Sequence, residues 1–123
     1  MKSPTITGSL SGIFIESSRN RQTISFKDIV SIQTESPYIK IKTCNNKCVV
    51  IYMSLSKIAK IFPENFLFCN QSFIVNVTYI KGLEKKNGKM IMELVSGTLL
   101  TIPRRKSKNI CNIVDQEFEK RKK

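Results

Sequence analysis

Residues 66–101 read FLFCNQSFIVNVTYIKGLEKKNGKMIMELVSGTLLT, and their pattern decides the fold. Two short apolar runs, at 66–69 and 73–77, flank the polar triplet Asn70-Gln71-Ser72. Such runs bounded by turn residues predict β-strands. Asn87-Gly88 then separates two further runs, and it is a strong hairpin signal because both residues tolerate positive φ. Ser96-Gly97 marks another turn before a last strand at 98–102, which runs into Pro103-Arg104-Arg105-Lys106.

The same pattern extends upstream. Residues 13–16, 22–26, 29–34, 38–43 and 48–53 are short and mostly alternate apolar with polar, so they predict strands. Arg19-Asn20, Ser36-Pro37 and Asn45-Asn46 supply the turns between them. Two helices are expected. Leu55, Ile58, Ala59 and Phe62 fall at helical spacing behind a cap at Ser54 or Ser56, with Pro63 as the stop. Ile110, Ile113, Val114 and Phe118 form the apolar stripe of a C-terminal helix, with Ser107 as its expected cap. The fold class is mainly β: an antiparallel structure of short hairpins, with one short packed helix and one C-terminal helix. Residues 1–12, MKSPTITGSLSG, are small and polar and read as a flexible tail or linker remnant. Residues 13–118 form the domain, and 119–123 a basic tail. No internal repeat is visible.

The 123 residues carry 21 Lys+Arg against 9 Asp+Glu, a formal charge of +12 with no histidine. That length fits one domain, and that charge makes a polyanion the first partner to consider. The excess lies toward the C-terminus, where Arg104, Arg105, Lys106, Lys108 and the 120–123 run face only Asp115, Glu117 and Glu119. Nucleic acid, an anionic membrane surface and a plain solvated face are all compatible with it. No stretch has the roughly 18 apolar residues of a membrane span, and the first residues lack a signal-peptide pattern, so a cytoplasmic location is expected. Cys44, Cys48, Cys69 and Cys111 make no CxxC pair and read as reduced thiols. The sequons at Asn70 and Asn76 are then chance matches.

Catalysis is not expected. There is no histidine, no Gly-rich phosphate loop, no paired-carboxylate motif and no metal-ligand cluster, so no catalytic residue, metal, cofactor or small-molecule substrate is predicted. A Ser107–Lys106 or Ser107–Lys108 dyad can be drawn, but a helix cap among lysines explains those residues.

The order of these pieces resembles the LytTR family of DNA-binding domains, found in many bacterial response regulators. The resemblance rests on the aromatic strand entry at Phe66, the polar triplet, Ser72-Phe73-Ile74-Val75-Asn76, Tyr79-Ile80, the Ser-Gly turn and the paired arginines. Ile13-Phe14-Ile15-Glu16, Phe26-Lys27-Asp28-Ile29 and Ile32-Gln33-Thr34-Glu35-Ser36 fit its opening strands, which extends coverage to roughly 13–113. It implies an elongated β-structure whose loops, rather than a recognition helix, enter successive major grooves. It also implies a transcription regulator acting on promoter DNA at direct repeats, with two copies pairing on one site and a receiver domain joined at the N-terminus.

Residue chemistry and resemblance together nominate the site. Arg104 matches the family position that reaches DNA, and Arg105 is the near alternative. An arginine fork can grip guanine O6 and N7 together. Asn70 and Gln71 can pair with adenine, although the family typically has histidine at the Asn70 position. Tyr38, after Ser36-Pro37, is the remaining base-reading candidate. Ser72, Lys106, Lys108, Lys40 and Lys42 are phosphate candidates, the last two alternating with Ile39 and Ile41. Asn76 reads as an amide tying a bend. Two rivals stand beside sequence-specific duplex binding. One is a nonspecific single-strand binder stacking bases on Phe66, Phe68, Phe73, Tyr38 and Tyr79. The other is a basic module docking on an acidic protein or an anionic membrane.

Overall fold

The computed structural model describes residues 5–18 and 21–122, so the expected Arg19-Asn20 turn lies outside the described residues. The backbone divides into two compact units, Met1–Glu64 and Asn65–Lys123.

In the first unit, β1 (Thr5–Gly8), β2 (Gly12–Glu16) and β3 (Arg21–Ser25) form an antiparallel sheet. Ile13, Ile15 and Ile24 are buried from one face. Gly12 is required here, because a Cβ would overlap the Ile24 carbonyl oxygen. Strand β1 corrects the expectation of a tail over 1–12. Thr5 pairs with Glu16 and Gly8 with Ile13, so backbone pairing orders residues 5–8 although their side chains bury little. Residues 1–4 of that tail lie outside the described residues.

A second antiparallel set joins β4 (Ile29–Glu35), β5 (Tyr38–Thr43) and β6 (Cys48–Tyr52). Ile32, Ile39 and Ile41 are fully buried, each such side chain stabilising the fold by roughly 1.5–3 kcal/mol. Helix α1 (Leu55–Ala59) begins at Ser54, whose Oγ accepts from the Lys57 amide at 3.3 Å, and it buries Leu55 and Ile58.

In the second unit, β7 (Phe66–Asn70) pairs with β8 (Phe73–Asn76), and β9 (Ile80–Lys86), β10 (Lys89–Leu94) and β11 (Leu99–Ile102) form a meander. The β9–β10 turn is Asn87-Gly88, with φ of 54° and 79°, the left-handed pair that the Asn-Gly signal demands. Met92, Leu94, Leu100 and Ile102 are buried from this meander. Helix α2 (Arg104–Arg121) contacts β7 and β10 and buries Ile110 and Val114. Cys69 is fully buried with its Sγ 3.9 Å from the Met92 sulfur, and burial pushes its thiol up to about 12. It is a small core hydrophobe rather than a nucleophile.

Both ends of α2 differ from the sequence reading. The helix starts at Arg104 with Pro103 as cap residue, so Ser107 lies inside the helix instead of before it. At the other end, α2 continues through Arg121, within the residues 119–123 expected as a loose tail. The Arg121 guanidinium donates to the carbonyls of Ile80 (2.9 Å), Val77 (3.0 Å) and Thr78 (3.1 Å). It also lies 4.5 Å from the Phe118 ring centroid and 3.4 Å from the Glu117 carboxylate. Asn76, 1 % exposed, ties the neighbouring 3-10 turn (Val77–Tyr79) by accepting from the Thr78 amide at 3.0 Å and from Asn65 at 3.5 Å. The carbonyls that leave this turn are therefore the ones Arg121 holds.

Candidate nucleic-acid interface

Strand register gathers three turns at one end of the second unit. Met90 pairs with Ile102 and Lys89 with Lys86, which sets the β9–β10 tip beside the exit of β11. The β7–β8 turn is tied to the same end, because Asn70 Nδ2 donates to the Thr101 carbonyl at 3.0 Å. The turn at 70–72, the tip at 86–89 and the first turn of α2 are thus neighbours.

The candidates at this end have distinct surroundings. Asn70 also accepts the Ser72 amide at 2.8 Å, so both ends of its side-chain amide serve the loop. Each end of that amide keeps one further hydrogen-bonding site, a second N–H and a second lone pair. Asn70 is thus held in the turn by Thr101 and Ser72, and Gln71 is exposed at its apex. Gln71, Ser72 and Arg105 line one open concavity together with Thr101 and Pro103. Arg104 lines a second one on the other side of the β11–α2 junction, with Lys85, Lys89 and Ser107. Successive helical residues point about 100° apart, which separates the two arginines. They project from the first turn of a helix rather than from the strand end expected from sequence.

Lys106 is engaged by the fold. Its Nζ donates to the Phe68 carbonyl at 2.8 Å and stands 4.8 Å from the Phe68 ring centroid. Lys108 is exposed on α2. No acidic residue occupies the first turn of α2, so Arg104, Arg105 and Lys106 meet the positive end of the helix dipole uncompensated.

In the first unit, Tyr38 is 45 % exposed and meets the Tyr52 ring edge-on at 5.7 Å. It follows a cis Ser36-Pro37 bond. Lys40 is paired with Glu35 at 2.9 Å, and the hydrogen bond and charge of that carboxylate raise its pKa above the ordinary lysine value. Lys42 is half-buried on the same face of β5. Of the aromatics offered as stacking platforms, Phe66 is buried, Phe73 and Tyr79 are half-buried, and Phe68 lies beneath Lys106. Tyr38 is the most exposed of these five, with its ring against Tyr52. Among the described residues no His/Cys/Asp/Glu group is arranged to hold a metal, and no helix is long and apolar enough to cross a membrane.

Sequence reasoning missed Lys85 and Lys89. Their signal was present as Lys85-Lys86-Asn87-Gly88-Lys89, which was legible as a turn but equally as a cluster of charge.

A β-rich fold whose cations collect on turns at one end has the build of a polyanion-binding domain. The family profile of the LytTr DNA-binding domain matches residues 19–115, and the chain belongs to that family of DNA-binding domains. Among solved structures it is similar to a chain described as the LytTr DNA-binding domain of a methyl-accepting/DNA response regulator from Bacillus cereus. The two share 15 % identity and a TM-score of 0.67 over 93 % of this chain and 98 % of that one, a likeness of fold. No curated protein sequence matches the chain.

Proposed function

We propose that this domain recognises a specific double-stranded promoter sequence and regulates transcription from it, inserting loops into successive major grooves, with two copies bound at direct repeats. The observation that carries the reading is the shared concavity of Gln71, Ser72 and Arg105 beside Arg104. An amide and guanidinium groups, which read base edges, here flank a hydroxyl suited to a phosphate. Arg104 and Arg105 are the base-reading arginines, with Gln71 beside them and Asn70 holding the loop in place. Tyr38 offers a further contact from the first unit. Ser72, Lys106, Lys108, Lys40 and Lys42 are the phosphate set, of which Lys106 and Lys40 must share their charge with Phe68 and Glu35. If about six phosphates are neutralised, log K falls against log salt with a slope near −5.

Selection from a random duplex library at about physiological salt tests the reading, with an Arg104→Ala, Arg105→Ala double variant in parallel. The expected outcome is one short enriched motif, repeated about a helical turn apart and lost in the double variant. Binding without enrichment would reduce the domain to a charge-driven polyanion binder.

A further inference from the structure

Resting on that reading, we infer that the tip of the β9–β10 hairpin is a binding site for the nucleic-acid backbone, with Lys85 and Lys89 holding a phosphodiester beside the base contact made by Arg104. Three independent observations support it. The first is a cleft of about 290 Å³ lined by Lys85, Gly88, Lys89, Arg104 and Ser107 among its walls, with no carboxylate in the lining. Lys85 pairs with Met90, and Met90 with Ile102, so Lys85 shares the face of the meander from which Ile102 is buried, while Lys89, paired with Lys86, leaves from the opposite face and lines the cleft at the turn.

The second is the pairing of the charges. Three surface cations of the second unit have an acid beside them, Lys81 with Glu93 at 3.7 Å, Arg121 with Glu117 at 3.4 Å and Lys122 with Glu119 at 3.1 Å, whereas Arg105, Lys108 and Lys120 have none among the described residues. At the hairpin tip, Lys85, Lys86, Lys89 and Arg104 enter no ion pair among the described residues. The third is the register. Lys86 and Lys89 sit directly across the two strands from one another, immediately flanking the Asn87-Gly88 turn. Like charges placed so oppose the hairpin they close. An anion at this end relieves that repulsion and the charge of Arg104 together. A phosphate presents oxygens that lysine ammonium groups satisfy as point charges without selecting a base.

The hairpin is thus a third contact to the duplex, adding affinity without sequence preference. The test is the salt dependence of duplex binding by the full chain and by a Lys85→Gln, Lys89→Gln double variant. It uses two probes: a duplex carrying the selected motif and a scrambled duplex of equal length. The variant is expected to weaken on both probes by a similar factor and to lower the salt slope by about two, with the selected motif unchanged. Its melting temperature is expected to stay level or rise, because Lys89→Gln removes the repulsion with Lys86. An unchanged slope on both probes would overturn the inference while leaving base reading by Arg104 and Arg105 intact. A loss confined to the motif duplex would overturn it too, by making the two lysines base readers. If the chain binds the two duplexes equally, the sequence-specific reading fails, and the slope on the scrambled probe still decides whether the hairpin holds phosphate. If the chain binds neither duplex, both readings fail.

Discussion

The outer face of β5 in the first unit and the turn-bearing end of the second unit both carry lysines and exposed polar groups, but they use charge differently. On β5, Lys40 is tied to Glu35 at 2.9 Å, and Tyr38 rests against Tyr52. At the end of the second unit, Arg104, Arg105, Lys85 and Lys89 enter no ion pair among the described residues. A cation already paired must give up a partner before it can take a phosphate, whereas an unpaired one gains outright. The availability of charge, more than its amount, distinguishes the stronger interface candidate. It favours the second unit.

The largest expected effect tests that preference. Arg104→Ala and Arg105→Ala, made singly, should each be scored for base discrimination on the selected motif. Each should lose on the order of 1–3 kcal/mol of discrimination, and a variant that instead weakens all sequences alike would move its arginine to the phosphate contacts. If neither variant changes affinity, the contrast between the two regions has no functional meaning. Next comes a structural control on the same unit, Arg121→Ala. It removes the bonds to three carbonyls and should reduce stability by about 2 kcal/mol, read as a lower denaturation midpoint. An unchanged midpoint would return the last helical turn to the status of a loose basic end.

A smaller effect is expected at Lys106, where both roles compete. Lys106→Ala should cost about 1 kcal/mol of stability through the lost bond to Phe68. A salt slope smaller by about one would keep the residue among the phosphate contacts as well, and an unchanged slope would leave it purely structural. The smallest effects belong to β5. Lys40→Ala should leave duplex affinity nearly unchanged, because its ammonium is already held by Glu35. Glu35→Gln should instead strengthen binding slightly if the released ammonium reaches a phosphate. Equal and large losses for Lys40→Ala and Arg104→Ala would erase the distinction between the regions.

Much of the fold was legible because local chemistry and tertiary structure agree. Asn87-Gly88 adopts the φ values its residue types favour, and Ser54, one of the two serines expected as cap, is the one that caps α1. Ile39 and Ile41 are buried while Lys40 and Lys42 alternate with them. Where the sequence misled, the deciding contacts were distant along the chain. Strand β1 has almost no apolar face to announce it, since its order comes from backbone pairing with β2. The start of α2 was displaced to Ser107 because serine is a good cap, whereas three cations at a helix N-terminus oppose its dipole. The candidate site was legible as a set of residue types but not as a division of labour. Nothing local to Asn70 indicates that it will hold Thr101, thirty-one positions away, and nothing local to Arg121 points to Ile80.

The Asn70 clasp has a consequence for the kinetics of recognition. With its amide closed on Thr101 and Ser72, the Gln71 turn has its conformation before any ligand arrives. Ordering a loop costs roughly 1–2 kcal/mol per residue, and here that cost falls during folding instead of during association. Encounter should therefore proceed in a single phase, with a rate set by diffusion and long-range attraction rather than by a slow rearrangement of the loop.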